Sequence, residues 1–161
     1  MARRLILPIG DDHFAALGRI AVYLEYLHLK VQFWTWELMG CDQRIGQVVT
    51  AGVSFKRSLN TLGALAVETL APEQVSALKE LLNRADRLED RRNTVLHSVW
   101  LAGTPPFRSK TTASRKRIRF DNEPLDVKAL HAVADEIEAV ALALQDLLFG
   151  TPGPGDGANK I

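Results

Sequence analysis

Apolar residues recur at spacings of three and four along most of the chain, the mark of helices that bury one stripe. Phe14, Leu17, Ala21, Leu24, Leu27, Val31 and Trp34 make the first stripe. It follows Asp11 and Asp12, either of them a fair N-cap, and Gly40 is placed to end the helix after Met39. Val48, Gly52, Phe55, Leu59, Leu62 and Ala66 predict a second helix from about Ile45 to Leu70. Gly52 and Gly63 weaken it locally and leave room for a neighbouring helix to come close. Pro72 stands at a first helical position and opens a third helix. Its apolar line runs through Val75, Leu78, Ala85, Leu88, Val95 and Val99, so the helix is expected to reach Trp100 or Leu101.

The pattern breaks at Thr104-Pro105-Pro106. From Arg115 to Asp121 it alternates, with Arg117 and Arg119 on one side and Ile118 and Phe120 on the other, which predicts a short strand. Part of 107–112 is expected to pair with it as a hairpin. Asp126 then reads as the N-cap of a fourth long helix, with Leu125 and Leu130 placed as a hydrophobic staple. Leu130, Val133, Ile137 and Leu144 carry its stripe, and Gly150 ends it. Residues 151–161 have nothing to bury and are expected to form a disordered Gly/Pro-rich tail. The predicted fold class is all-α: an antiparallel four-helix bundle with a short basic β-hairpin or loop before the last helix, one domain over residues 1–150.

At 161 residues, with 47% apolar and 24% charged side chains, the chain can bury a full core. A single cysteine, Cys41, excludes an internal disulfide and fits a reducing compartment. There is no run of 18 apolar residues, and the apolar stretch after Arg3-Arg4 is too short for a signal peptide. The expectation is a cytoplasmic protein that does not enter a membrane. Net charge is +1, but Arg108, Lys110, Arg115, Lys116, Arg117 and Arg119 lie together with no acid among them. That leaves fourteen bases against nineteen acids elsewhere, a balance of −5. One basic segment on an acidic body points to a local anionic partner. His13, His28 and His131 are scattered, so no metal site and no cofactor is expected. Trp34, Trp36 and Trp100 lie outside the basic segment and read as core or dimer contacts.

One constellation interrupts this regular picture. Arg92 falls on the apolar line of the third helix, where Leu or Val belongs. A guanidinium there costs several kcal/mol unless it is paired, reaches water, or waits for an anion. An ion pair with Glu89, or with an acid on another helix, would account for it structurally. Asn93 and His97 are one turn apart and share a neighbouring polar stripe with Asp86, Asp90 and Trp100.

In Arg92-Asn93-x-x-x-His97, late on the third helix of a predicted four-helix bundle, the chain resembles the HEPN superfamily. Requiring Asn directly after the Arg brings the chance expectation of such a match here to roughly 0.03. The resemblance implies a homodimer in which the motif helices meet and build one composite cleft. Many members are metal-independent endoribonucleases of toxin or defence type. Others are silent modules that bind nucleotide, RNA or a partner protein, for which an antitoxin is one form. Carried over by position, His97 takes a proton from a ribose 2′-hydroxyl and returns one to the leaving oxygen, giving 2′,3′-cyclic phosphate ends. Arg92 binds the scissile phosphate, for which its planar fork suits better than Lys, and Asn93 orients His97 or holds the phosphate. Arg91, with five residues before His97, also fits as the motif arginine. Arg91, Arg115, Lys116, Arg117 and Arg119 are the expected RNA-backbone contacts.

Overall fold

The computed structural model describes residues 7–114, 117–124 and 126–149. Among them are five helices and one small antiparallel sheet: α1 (Asp11–Met39), α2 (Gln43–Thr50), α3 (Phe55–Thr69), α4 (Pro72–Leu96), β1 (Val99–Leu101), β2 (Phe107–Ser114), β3 (Arg117–Pro124) and α5 (Val127–Phe149). The predicted staple residue Leu125, the basic Arg115 and Lys116, and the tail 151–161 lie outside the described residues.

Local chemistry sets most of the boundaries. Gly40 adopts the left-handed conformation (φ 64°) that ends α1, as glycine does without steric cost. Asp42 and Ser54 cap α2 and α3, accepting hydrogen bonds from the backbone N–H of Ile45 and Arg57. Asp126 caps α5 by accepting from the N–H of Ala129 at 2.7 Å, and Pro72 opens α4. Asp11 and Asp12 lie in the first turn of α1 rather than at its cap, which is Gly10.

α1 packs against α3 and α5, and α4 packs against the same two helices. The four share one core built on Leu24, Leu27, Leu62, Leu88, Ile137 and Leu144, all buried. Trp34 is buried with its indole N–H donating to the Leu144 carbonyl at 3.0 Å, which satisfies the polar end of a large apolar side chain. Trp36 is buried beneath α2. A Cβ at Gly46 would meet the Trp36 ring at 2.4 Å, so only glycine lets α2 lie there.

Two helix expectations need correction. The second predicted helix is two helices separated at Ala51–Ser54. Gly52 sits at φ 71° and Ser54 starts a new cap, so the chain turns where a continuous apolar pattern had bridged the break. Val48, expected in the core, is one of the most exposed apolar residues. The third predicted helix stops at Leu96. Val99–Leu101 leaves the helix and pairs with Phe107–Ser109 as β1, because β2 offers a ladder that the β-branched and aromatic residues there fit well. The fold is therefore mostly helical, with a three-stranded sheet of order β1-β2-β3 in place of an all-α chain carrying a hairpin. The expected pairing of 107–112 with the alternating strand is present, in the register Thr111 to Phe120 and Arg108 to Glu123.

Candidate functional site

α4 carries the motif into its last turn. Leu88 and Val95 are buried against the core, and position 92 lies between them on the same line. The Arg92 side chain is 25% exposed, turned inward where α1, the start of α3 and α4 converge. There Glu25 and His28 from α1, Ser54 and Phe55 from α3, and Glu89 with Arg92 from α4 line a cavity of about 270 Å³.

The guanidinium is only partly satisfied in this place. Its Nη1 donates to Asn93 Oδ1 at 2.9 Å. Its Nη2 stands 3.6 Å from Glu25 Oε1, a loose pair with a carboxylate that is itself mostly in water. Its Nε is buried and has no hydrogen-bond partner. A buried donor left unmade costs on the order of 1–3 kcal/mol. Arg92 thus holds donor capacity that no described residue of the chain uses.

Around it the cavity shifts two titrations. Burial pushes the Glu89 carboxyl above its ordinary value; nearby Asp86 adds to this, while Lys56 and Arg92 pull the other way. Burial also lowers the proton affinity of His28, against a smaller opposing effect of Glu25. The His28 Nε2 lies 3.0 Å from Ser58 Oγ, and its ring meets Phe55 edge-on at 5.2 Å.

Asn93 is half-buried, and His97 is exposed at the C-cap of α4, its backbone N–H bonded to the Asn93 carbonyl at 3.1 Å. The Arg92–Asn93 hydrogen bond therefore brings two of the three motif side chains together, with His97 one turn further along the helix. Arg91 points elsewhere and donates to Glu136 on α5 at 2.7 Å. Of the predicted basic contacts, Arg119 is exposed near the start of β3. Arg108, grouped with them by sequence, is buried and bonded to Asp121 at 3.3 Å and to Glu123, so it is internally neutralised.

Sequence reasoning missed Glu25 and His28. They lie one helical turn apart on the flank of the α1 stripe, which is the signal that marks a polar edge facing a neighbour, but only the packing of α1 on α3 and α4 supplies Arg92 as that neighbour. Among the described residues no group of three or more His, Cys, Asp or Glu is placed to hold a metal ion, and no helix is long and apolar enough to cross a membrane. Compared with known proteins, the chain matches no family model, no curated protein and no solved structure.

Proposed function

We propose that this protein is a HEPN-like, metal-independent endoribonuclease of toxin or defence type, acting in the cytoplasm, whose site is completed by a second copy of the chain. The observation that carries the reading is the state of Arg92. It is held by Asn93, one turn from an exposed His97, and still has an unmade donor. In this role Arg92 binds a phosphate oxygen of the RNA and stabilises the charge that develops on it. His97 accepts the 2′-hydroxyl proton as that oxygen attacks phosphorus. The His97 of the second copy protonates the departing 5′-oxygen, leaving a 2′,3′-cyclic phosphate.

The surface next to Arg92 favours a homodimer. Val22, Tyr26 and Leu29 follow one another on α1 at helical spacing, are all exposed, and flank Glu25. A soluble helix rarely leaves such a stripe bare without a partner. Burying it against its symmetry mate places two Arg92 cavities beside one axis. In this reading the four long helices are the HEPN-like bundle, and Arg115, Lys116, Arg117 and Arg119 add contacts to the RNA backbone.

A second reading rests on Glu25. Its carboxylate stands beside the Arg92 Nη2 where a substrate oxygen would go, which suits a catalytically silent module that binds nucleotide, RNA or a partner such as an antitoxin. Purified protein incubated with RNA, with and without EDTA, separates the two. Cleavage that leaves cyclic phosphate ends, survives chelation and disappears in His97→Ala supports the nuclease. Cleavage that persists in His97→Ala or stops with EDTA overturns the mechanism. No cleavage by wild type assigns the fold to the binding module.

A further inference from the structure

Strand pairing sorts the sheet residues onto two faces. Directly paired residues share a face, so Trp100, Arg108 and Glu123 lie together, as do Lys110 and Asp121. Trp100 packs on the core and Arg108 is buried, which makes this the face turned toward the helices. The opposite face carries Val99 and Leu101 from β1, and Ile118 and Phe120 from β3. All four are exposed, Ile118 at 63% and Phe120 at 68%. β3 is also an edge: it runs for eight residues, and among the described residues the order β1-β2-β3 pairs it on its β2 side alone. Natural edge strands are commonly kept short, bulged or covered, because a long free edge accepts another strand. On β3, apolar Ile118 and Phe120 alternate with basic Arg119, and Pro124 comes only at its end.

We propose that β3 is a docking edge for an extended segment of another protein in which apolar and acidic residues alternate. Backbone hydrogen bonds to the free edge give the affinity of strand addition. The apolar side chains of the segment cover Ile118 and Phe120, and its acids fall on the face of Arg119. Charge selects the partner. From Lys110 to Arg119 the sequence carries five bases and no acid, and Asp121 and Glu123 are engaged with Arg108. The chain's own remaining segments do not fit. Residues 1–8 carry Arg3 and Arg4 with no acid, and 151–161 are broken by Pro152, Pro154 and three glycines. Of the four apolar side chains on this face three are aliphatic and Phe120 alone offers a stacking plane, so successive bases find no run of platforms and an extended protein segment fits better. This proposal is independent of the nuclease reading.

The test uses the full-length chain and an acetylated, fluorescein-labelled octapeptide of alternating valine and glutamate, with its valine–lysine counterpart as control. The expected result is saturable binding of the glutamate peptide, at least about tenfold weaker binding of the lysine peptide, and a similar loss in Ile118→Ser/Phe120→Ser. Both substituted residues are exposed, so the double variant keeps its melting temperature. Methylating alternate peptide amides in one register abolishes binding and in the other does not, as pairing to an edge requires. No binding of the glutamate peptide, or equal binding of both peptides, overturns the proposal. If Ile118→Ser/Phe120→Ser weakens a twelve-nucleotide uridine RNA as strongly as the peptide, the face belongs to RNA instead. If the same variant turns a dimer into a monomer, a second copy covers it.

Discussion

Arg108 and Arg92 are both largely buried, and their surroundings differ. Arg108, 7% exposed, sits beneath the sheet with Asp121 and Glu123 on its guanidinium. Arg92, 25% exposed, has one amide oxygen, one loose carboxylate and an Nε that bonds to nothing. The first charge is matched twice over by the strand that pairs with its own, so its neighbours explain its presence. The second is placed on the apolar line of α4 and left short of partners. A structural ion pair of the kind that explains Arg108 is met with good geometry, because truncating one partner of a buried pair is costly. Arg92 departs from that pattern beside Asn93 and His97, where an incoming phosphate would supply the missing acceptors.

Substituting the two arginines should dissociate chemistry from stability. Arg92→Ala and His97→Ala are each expected to lower RNA cleavage by about 10²–10⁴, read by product formation under single-turnover conditions. Arg92→Ala should melt at or above the wild-type temperature, since it removes a poorly satisfied charge from an apolar seam. If it instead unfolds the chain, Arg92 is a structural residue like Arg108 and the contrast fails. Arg108→Ala should show the reverse. Its two carboxylates are left facing one another, yet both are half in water, so the loss is about 1–2 kcal/mol in a denaturant titration. Cleavage per folded molecule should not change. A fall in cleavage with unaltered melting would place Arg108 in the site.

A third substitution sharpens the same comparison at the surface. Arg91 is the other arginine that fits the motif spacing, but its guanidinium is engaged by Glu136, and both side chains are substantially exposed. Arg91→Ala should cost at most about 0.5 kcal/mol and leave the cleavage rate within about threefold, well short of what loss of a phosphate-binding group costs. A loss as large as that of Arg92→Ala would transfer the motif role to Arg91.

Much of this arrangement was readable from residue spacing, and the exceptions have physical reasons. The start of α4 at Pro72, the end of α1 at Gly40, the cap at Asp126 and the hairpin pairing rest on local chemistry, and local chemistry is written in the sequence. The break at Ala51–Ser54 was hidden because Val48 and Phe55 both satisfy a helical period, although Gly52 and Ser54 were turn and cap residues in plain view. β1 was hidden for a different reason: Val99–Leu101 continues a helical stripe, and only the ladder of β2, several residues further on, makes extended backbone the better state. Phe14 was assigned to the core and is exposed, because α1 carries apolar residues on two faces and its period does not say which one faces inward. For the site, Arg92, Asn93 and His97 are legible as a spacing on one helix. Glu25 and His28 come from α1, and no periodicity within α4 points to them.

The smallest expected effect asks whether the Arg92 cavity is shielded from water. His28 lines it, and burial lowers its proton affinity in the fold. The unfolded chain titrates at the ordinary value of 6.5. As pH falls through that value, the unfolded state takes up a proton that the native state resists, so it binds more protons and stability declines with falling pH. The stability held by neutral His28 is thus present above pH 6.5 and lost below it. Glu89 has the opposite sign. Its raised folded value makes its contribution complete below its unfolded value of 4.5 and lost as pH rises above it. Between about pH 7 and pH 5.5 the His28 contribution should lower the melting temperature by roughly 1–3 °C at the acid end. His28→Gln can still hydrogen-bond Ser58 but cannot titrate, so the difference between its melting curve and that of the wild type isolates this group. If the two proteins show the same pH slope, water reaches the imidazole freely. The unmade Arg92 Nε would then be solvated from the cavity, and its contrast with Arg108 would be one of exposure alone.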